Sequence, residues 1–187
     1  MPEKPRKRRA GKEGNRNPRS LARQRALQAL YQWQLGGDSA GNIERQFLPP
    51  AEEIPEIPAE PPRMEPDREL EDALTMDGVD ADLFRNLLHG VTQRTADWDA
   101  QIAPHLTRSI ASLDPVERLV LRMGTYELNE CLDVPCRVVI NECVELGKRF
   151  GGEDGYKYIN GVLDKVARGN RFRQAEMAGN ASGKRKG

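Results

Sequence analysis

Residues 16–35, RNPRSLARQRALQALYQWQL, pass from arginine-rich to amphipathic within one helix length. Ala22, Ala26, Ala29, Leu30 and Trp33 fall at i, i+4, i+7, i+8 and i+11, which draws an apolar stripe down an α-helix. Arg19 and Arg23, four residues apart, lie together on one shoulder of that stripe. Gly36-Gly37 stops the pattern, so a helix is expected from Ser20 to Leu35. Such a helix offers one face for burial and a run of cations beside it, an arrangement suited to a polyanion.

Further along the chain the helical period returns. A short helix is expected from Asn42 to Leu48. Asp80 is a good N-cap for a long helix that carries Leu83, Phe84, Leu87, Leu88, Val91, Thr95, Trp98 and Ile102 and ends near Pro104. Asp114-Pro115-Val116-Glu117 places an acidic cap, proline at N1 and glutamate at N3, a strong helix start. Pro135 opens another helix through Val139, Ile140, Cys143, Val144 and Phe150, which Gly151-Gly152 ends. A last helix is expected from Asp154 to Arg168, with Ile159, Val162, Leu163 and Val166 inward. No segment alternates as a strand and no internal repeat is visible. The expectation is an all-α fold of six or seven helices packed as two small bundles.

The formal net charge of zero conceals a segregated chain. Residues 1–25 balance at +8, 38–82 at −11, 83–164 at −3 and 165–187 at +6. Cationic ends of this kind mark nucleic-acid contact or simple solubility tails. Residues 1–15 and 169–187 read as disordered basic tails. Residues 49–76 hold seven of the thirteen prolines and many acids, and read as a disordered insert within one domain spanning 16–168.

Cys131, Cys136 and Cys143 are an odd count without zinc spacing, so reduced thiols in a cytoplasmic protein are expected, with no metal and no cofactor. No apolar run is long enough to span a membrane. There is no glycine-rich phosphate loop: Gly151-Gly152 is a helix stop, and Glu153 and Asp154 belong to a turn with no base or metal partner. Catalysis is therefore not expected.

Several segments resemble the NusB family of bacterial transcription antitermination factors. They are ARQRALQALYQWQL at 22–35, LFRNLLHGV at 83–91, VERLVLRMGTYEL at 116–128, VPCRVVINECVELGKRFGGED at 134–154 and YKYINGVLDKVAR at 156–168. The order and spacing of these pieces, and the run VINE-x-VELGK-x-F…KYINGVLDK in particular, make the resemblance specific. It implies a non-catalytic, all-α RNA-binding protein. Its relatives bind single-stranded boxA RNA of ribosomal RNA leader transcripts together with ribosomal protein S10 (NusE). They then join an RNA polymerase antitermination complex with other Nus factors. The alternatives are a pure protein-interaction module, or a detached RNA-binding domain of the kind fused ahead of ribosomal RNA methyltransferases. Monomer and homodimer are both compatible with the resemblance.

The same resemblance implies particular residues. Arg16, Arg19 and Arg23 match the arginine-rich segment, where a planar fork suits phosphate. Lys157 and Tyr158 match a lysine–aromatic pair, a platform for an unpaired base. Phe150 precedes the same turn and is a weaker RNA candidate. Asp154 is expected mainly to cap the last helix, with an RNA-edge carboxylate as its second role. His105 stands where relatives carry an RNA-facing tyrosine. Tyr31 and Glu117 match positions that face S10, although Glu117 also has a local capping task.

Overall fold

The computed structural model describes residues 17–49 and 76–176. Seven α-helices run through them: α1 Pro18–Gly36, α2 Ala40–Phe47, α3 Ala81–Gln93, α4 Thr95–Ile102, α5 Pro115–Glu130, α6 Cys136–Phe150 and α7 Gly155–Gly169. Two 3₁₀ turns, Ala103–His105 and Ile110–Ser112, link α4 to α5. No strand occurs among the described residues. The expected basic tail 1–15, nearly all of the acidic insert and residues 177–187 lie outside the described residues.

Short polar side chains set most helix starts. Asn17 accepts from the Arg19 N–H at 3.0 Å and Pro18 follows at N1, so α1 begins two residues before the expected Ser20. Gly37, with φ of 70°, closes it in the left-handed conformation that glycine adopts without strain. Asp80 caps α3 by accepting from Leu83 N–H at 3.0 Å. Asp114 Oδ1 accepts from Val116 at 2.9 Å and Glu117 at 3.3 Å, as its motif predicts.

The single long helix expected from Asp80 to Pro104 is two helices, broken at Arg94. Beside the break, the Thr92 hydroxyl donates to Leu88 O at 2.8 Å and Thr95 to Val91 O at 2.9 Å. These side chains occupy carbonyls of the last turn, a habit that bends helices. Past the bend, Trp98 Nε1 donates back to Gly90 O at 2.8 Å and the indole is fully buried. Gly90 has no room for a Cβ, because the Tyr126 ring fills that space.

Helix α5 is the common wall. Helices α1, α3, α4, α6 and α7 all pack against it, and α2 packs on α1 and α3. The buried side chains are mostly aliphatic: Leu30, Phe84, Leu87 and Leu88 from α1 and α3, with Leu119, Leu121, Met123, Ile159 and Leu163 from α5 and α7.

The folded part extends past the expected boundary at 168. Arg173 is fully buried against the end of α5. Its guanidinium donates to Leu128 O at 3.0 Å, Cys131 O at 2.8 Å and Val134 O at 2.8 Å, and pairs with Glu176 at 2.8 Å. The last carbonyls of a helix have no intrahelical donor, and Arg173 supplies one. Residues 170–176 are therefore part of the domain rather than of a disordered tail.

Candidate nucleic-acid interface

The turn between α6 and α7 gathers the chemistry singled out in the sequence. Gly147 lets the two helices approach closely: a Cβ there would lie 2.7 Å from Ile159 Cδ1 and 3.2 Å from the Tyr156 backbone. Gly151 then ends α6, and Asp154 turns the chain at φ 64°, the only positive φ outside glycine among the described residues. Aspartate tolerates this left-handed conformation better than most residues.

Three rings surround the turn, each with a cation over it. Arg149 lies 5.2 Å from the Phe150 centroid, Lys148 and Lys157 lie 5.6 and 5.7 Å from Tyr156, and Arg108 lies 5.1 Å from Tyr158. Phe150 is 37% exposed, large for a phenylalanine. Lys157 points into solvent and pairs with Asp154 at 2.7 Å. Hydrogen bonding to that carboxylate raises the lysine above its ordinary value, so it is a full cation at neutral pH. Tyr158 is half-buried, and its hydroxyl accepts from Thr107 N–H at 3.3 Å, tying α7 to the loop after His105. Rings with cations at this range suit unpaired bases on one side and phosphates on the other.

Two sequence expectations are corrected here. Arg23 is 2% exposed, and its fork grips fully buried Glu127 at 2.6 and 2.9 Å. Glu142 stands 3.8 Å away. Burial works against the guanidinium charge, but the hydrogen bond and charge of Glu127 outweigh it and hold the group above its ordinary value. Arg23 is thus a core ion pair joining α1 to α5, out of reach of RNA. Glu117 is also buried, paired with Arg108 at 3.0 Å and facing Gly155 beneath the turn, so it presents no surface to a partner.

The capping role expected of Asp154 is likewise not seen: its carboxylate makes no cap hydrogen bond and goes to Lys157 instead. Arg19 is exposed, 3.4 Å from Asp133 and 3.7 Å from Asp80. It lies toward the far end of α6 from the turn. The link between them runs through Ser20 to Glu142 at 3.0 Å and Arg149 to Gln24 at 3.0 Å. Arg16 lies outside the described residues. His105 ends the first 3₁₀ turn and lines a groove beside α7. Tyr31, 39% exposed, stands on the outer edge of α1 one turn before exposed Leu35.

Sequence reasoning passed over Arg108, Arg149 and Tyr156. The neighbouring letters offered a signal for two of them: Arg149 immediately precedes Phe150, and Tyr156 immediately precedes Lys157. Arg108 reaches Tyr158 only through the fold.

Away from the turn, at the end of α5, burial pushes the Cys131 thiol up to about 11, which keeps it protonated at neutral pH. No cluster of three metal-ligating side chains occurs among the described residues. None of the described helices is long and apolar enough to cross a membrane.

The chain is similar in sequence and fold to known proteins. The chain is 48% identical over 172 residues to the transcription antitermination protein NusB of Alkalilimnicola ehrlichii, covering 92% of each chain. It is 41% identical to the NusB of Nitrosomonas europaea, covering 92% of this chain and 89% of that one. Among solved structures, T. maritima NusB matches with a TM-score of 0.56 and 28% identity, over 79% of this chain and 90% of that one. A complex of the antitermination factors NusB and NusE with double-stranded RNA matches at 0.59 and 26%, over 81% and 96%. The NusB family model matches residues 20–168, and the chain belongs to the NusB family, whose members are non-catalytic transcription antitermination factors.

Proposed function

We propose that this antitermination factor binds boxA-type single-stranded RNA of ribosomal RNA leader transcripts at the α6–α7 turn, and does so together with ribosomal protein S10. The observation that carries the reading is the set of three rings with cations over them at that turn. Lys157, and Arg149 beside it, meet phosphates, while Phe150 and Tyr158 offer faces to unpaired bases. His105 extends the base-stacking surface, and Arg19 adds a phosphate contact along α6. The Asp154 carboxylate lies at the RNA edge, where it restrains Lys157. The apolar step of Tyr31 and Leu35 on α1 suits a protein partner, and S10 is the partner assigned to it. The bound pair then joins the RNA polymerase complex with other Nus factors.

The test is a titration of a boxA-type RNA against a scrambled RNA of equal length, with and without S10, across salt concentrations. Steep salt dependence is expected, together with a preference for the boxA sequence that grows when S10 is added. Binding that ignores salt and sequence, with S10 still bound, would identify a protein-interaction module instead. Tyr31→Ala is expected to weaken S10 binding and leave RNA binding by the free chain unchanged.

A further inference from the structure

Beside His105, the one residue it shares with the RNA reading above, the surface sinks into an open groove of about 350 Å³. Its walls come from three places in the chain. Gln101 and His105 come from α4 and the 3₁₀ turn, Asn129 from the end of α5, and Gly169, Arg171 and Phe172 from the end of α7 and beyond. No carboxylate lines it.

The groove is built rather than incidental. Asn170 donates to Leu128 O at 3.2 Å and Asn129 Oδ1 at 3.1 Å, and accepts from Phe172 N–H at 2.9 Å. Together with the buried Arg173, this fixes the backbone that carries Arg171 and Phe172 on the rim. Phe172 is 59% exposed, and the Arg171 guanidinium lies 4.6 Å from its ring centroid. Arg171 has no ion pair among the described residues. Gln101 Oε1 accepts from Asn129 Nδ2 at 3.0 Å, which leaves the Gln101 amide N–H₂ without a partner among the described residues. An exposed ring, a stacked guanidinium, an imidazole and an unused amide donor, all without an opposing acid, match one nucleotide: a base face, a base edge and a phosphate.

The exposed face of α7 runs from the turn to the groove. Along α7, Lys157, Gly161, Lys165 and Arg168 recur at helical spacing on the exposed face. They span about 16 Å. Gly161 keeps this path flat, since a Cβ there would meet nothing within 4 Å. Asp154 and Asp164 interrupt it only as partners of Lys157 and Arg168. The Tyr158–Thr107 hydrogen bond joins the turn to the loop that carries His105.

We infer that the groove between α4, α5 and the end of α7 is a subsite for one unpaired nucleotide flanking the RNA bound at the α6–α7 turn, reached along the cationic face of α7. The inference rests on the RNA reading, and its test separates the two. The full chain is titrated with a boxA-type core RNA, and with the same core extended by uridines at the 5′ or the 3′ end. Extension at one end, not both, is expected to tighten binding roughly fivefold or more, the scale of one stacked base. Phe172→Ala is expected to abolish that gain and leave the affinity for the core unchanged. Gly169→Leu, whose new side chain enters open space in the groove, is expected to do the same without disturbing the fold. If neither extension tightens binding, or if the gain survives both variants, the subsite is refuted while core binding stands. If Phe172→Ala weakens S10 instead, the groove belongs to the protein partner and the inference falls. If the core RNA itself fails to bind above a scrambled RNA, the RNA reading and this inference fall together.

Discussion

Arg23 and Lys157 carry the same charge and have opposite tasks, and burial divides them. Arg23 lies in the core against Glu127. Removing one member of a buried pair leaves an uncompensated charge, whereas removing both leaves none. Arg23→Met and Glu127→Met are each expected to destabilise the protein by about 3–5 kcal/mol. The double variant is expected to lose far less than the two singles combined. Urea unfolding of all four proteins measures the coupling, and simple additivity would show that the pair does not act as a unit. Lys157 instead stands in solvent, restrained by Asp154. Asp154→Asn keeps a residue suited to positive φ and releases the ammonium, so RNA affinity is expected to rise by a few fold at low salt. Clearly weaker binding by that variant would mean that the carboxylate itself makes an essential RNA contact.

The elements are held by long-range polar ties as much as by their apolar stripes. Helix α2 is fastened to α3 through Glu44, which meets His89 Nε2 at 2.7 Å and Arg85 Nε at 2.9 Å. The hydrogen bond with His89 first, and that with Arg85 next, lower the Glu44 carboxyl below its ordinary 4.5, against the opposing effect of burial. Its contribution is therefore present in full above that unfolded value and is lost as pH falls through the lower folded one. Glu44→Gln is expected to unfold at lower urea than the native chain at neutral pH, with the gap closing as pH drops below about 4.5. A gap that persists unchanged in acid would rule this tie out. At the other end, Arg173→Met strips donors from the last carbonyls of α5. The loss is expected to be about 2–3 kcal/mol, which lowers Tm by roughly 5–10 °C, as would truncation after Gly169. An unchanged melting temperature would show that the latch is idle.

These ties mark where the sequence ran out. The Asp80 and Asp114 caps and the Gly36-Gly37 and Gly151-Gly152 stops are local chemistry, and all four were legible. The break at Arg94 was not, because the apolar period runs straight through it. At the break the Thr92 and Thr95 hydroxyls take carbonyls of the preceding turn, and beyond it Trp98 reaches back to Gly90 O beside the Tyr126 ring, contacts that the period does not show. Arg23 read as a surface cation because its partner lies 104 residues away. For the same reason Arg173 read as part of a basic tail. At the candidate site, the residue types around GGED were legible and sequence neighbours supply cations over Phe150 and Tyr156, but Arg108 reaches Tyr158 only through packing.

Across the whole molecule, cationic ends and an acidic middle sum to zero, so net charge says nothing about RNA. The number of exposed cations that displace counterions is what counts, and for single strands each phosphate contact contributes about 0.7 to the slope of log affinity against log salt. Lys157→Ala is expected to reduce that slope by about 0.7 and to weaken boxA-type and scrambled RNA alike, since a phosphate contact positions without specifying. Tyr158→Leu is expected to leave the slope unchanged and cost about 1–3 kcal/mol, the worth of one stacked base. Tyr158→Phe keeps the ring and loses only the hydrogen bond from Thr107, so most of the affinity is expected to survive. Titrations of the three variants at several salt concentrations separate charge from stacking. An unchanged slope for Lys157→Ala would remove the lysine from the RNA surface. A reduced slope for Tyr158→Leu would show that the ring works by holding Arg108 in place rather than by receiving a base.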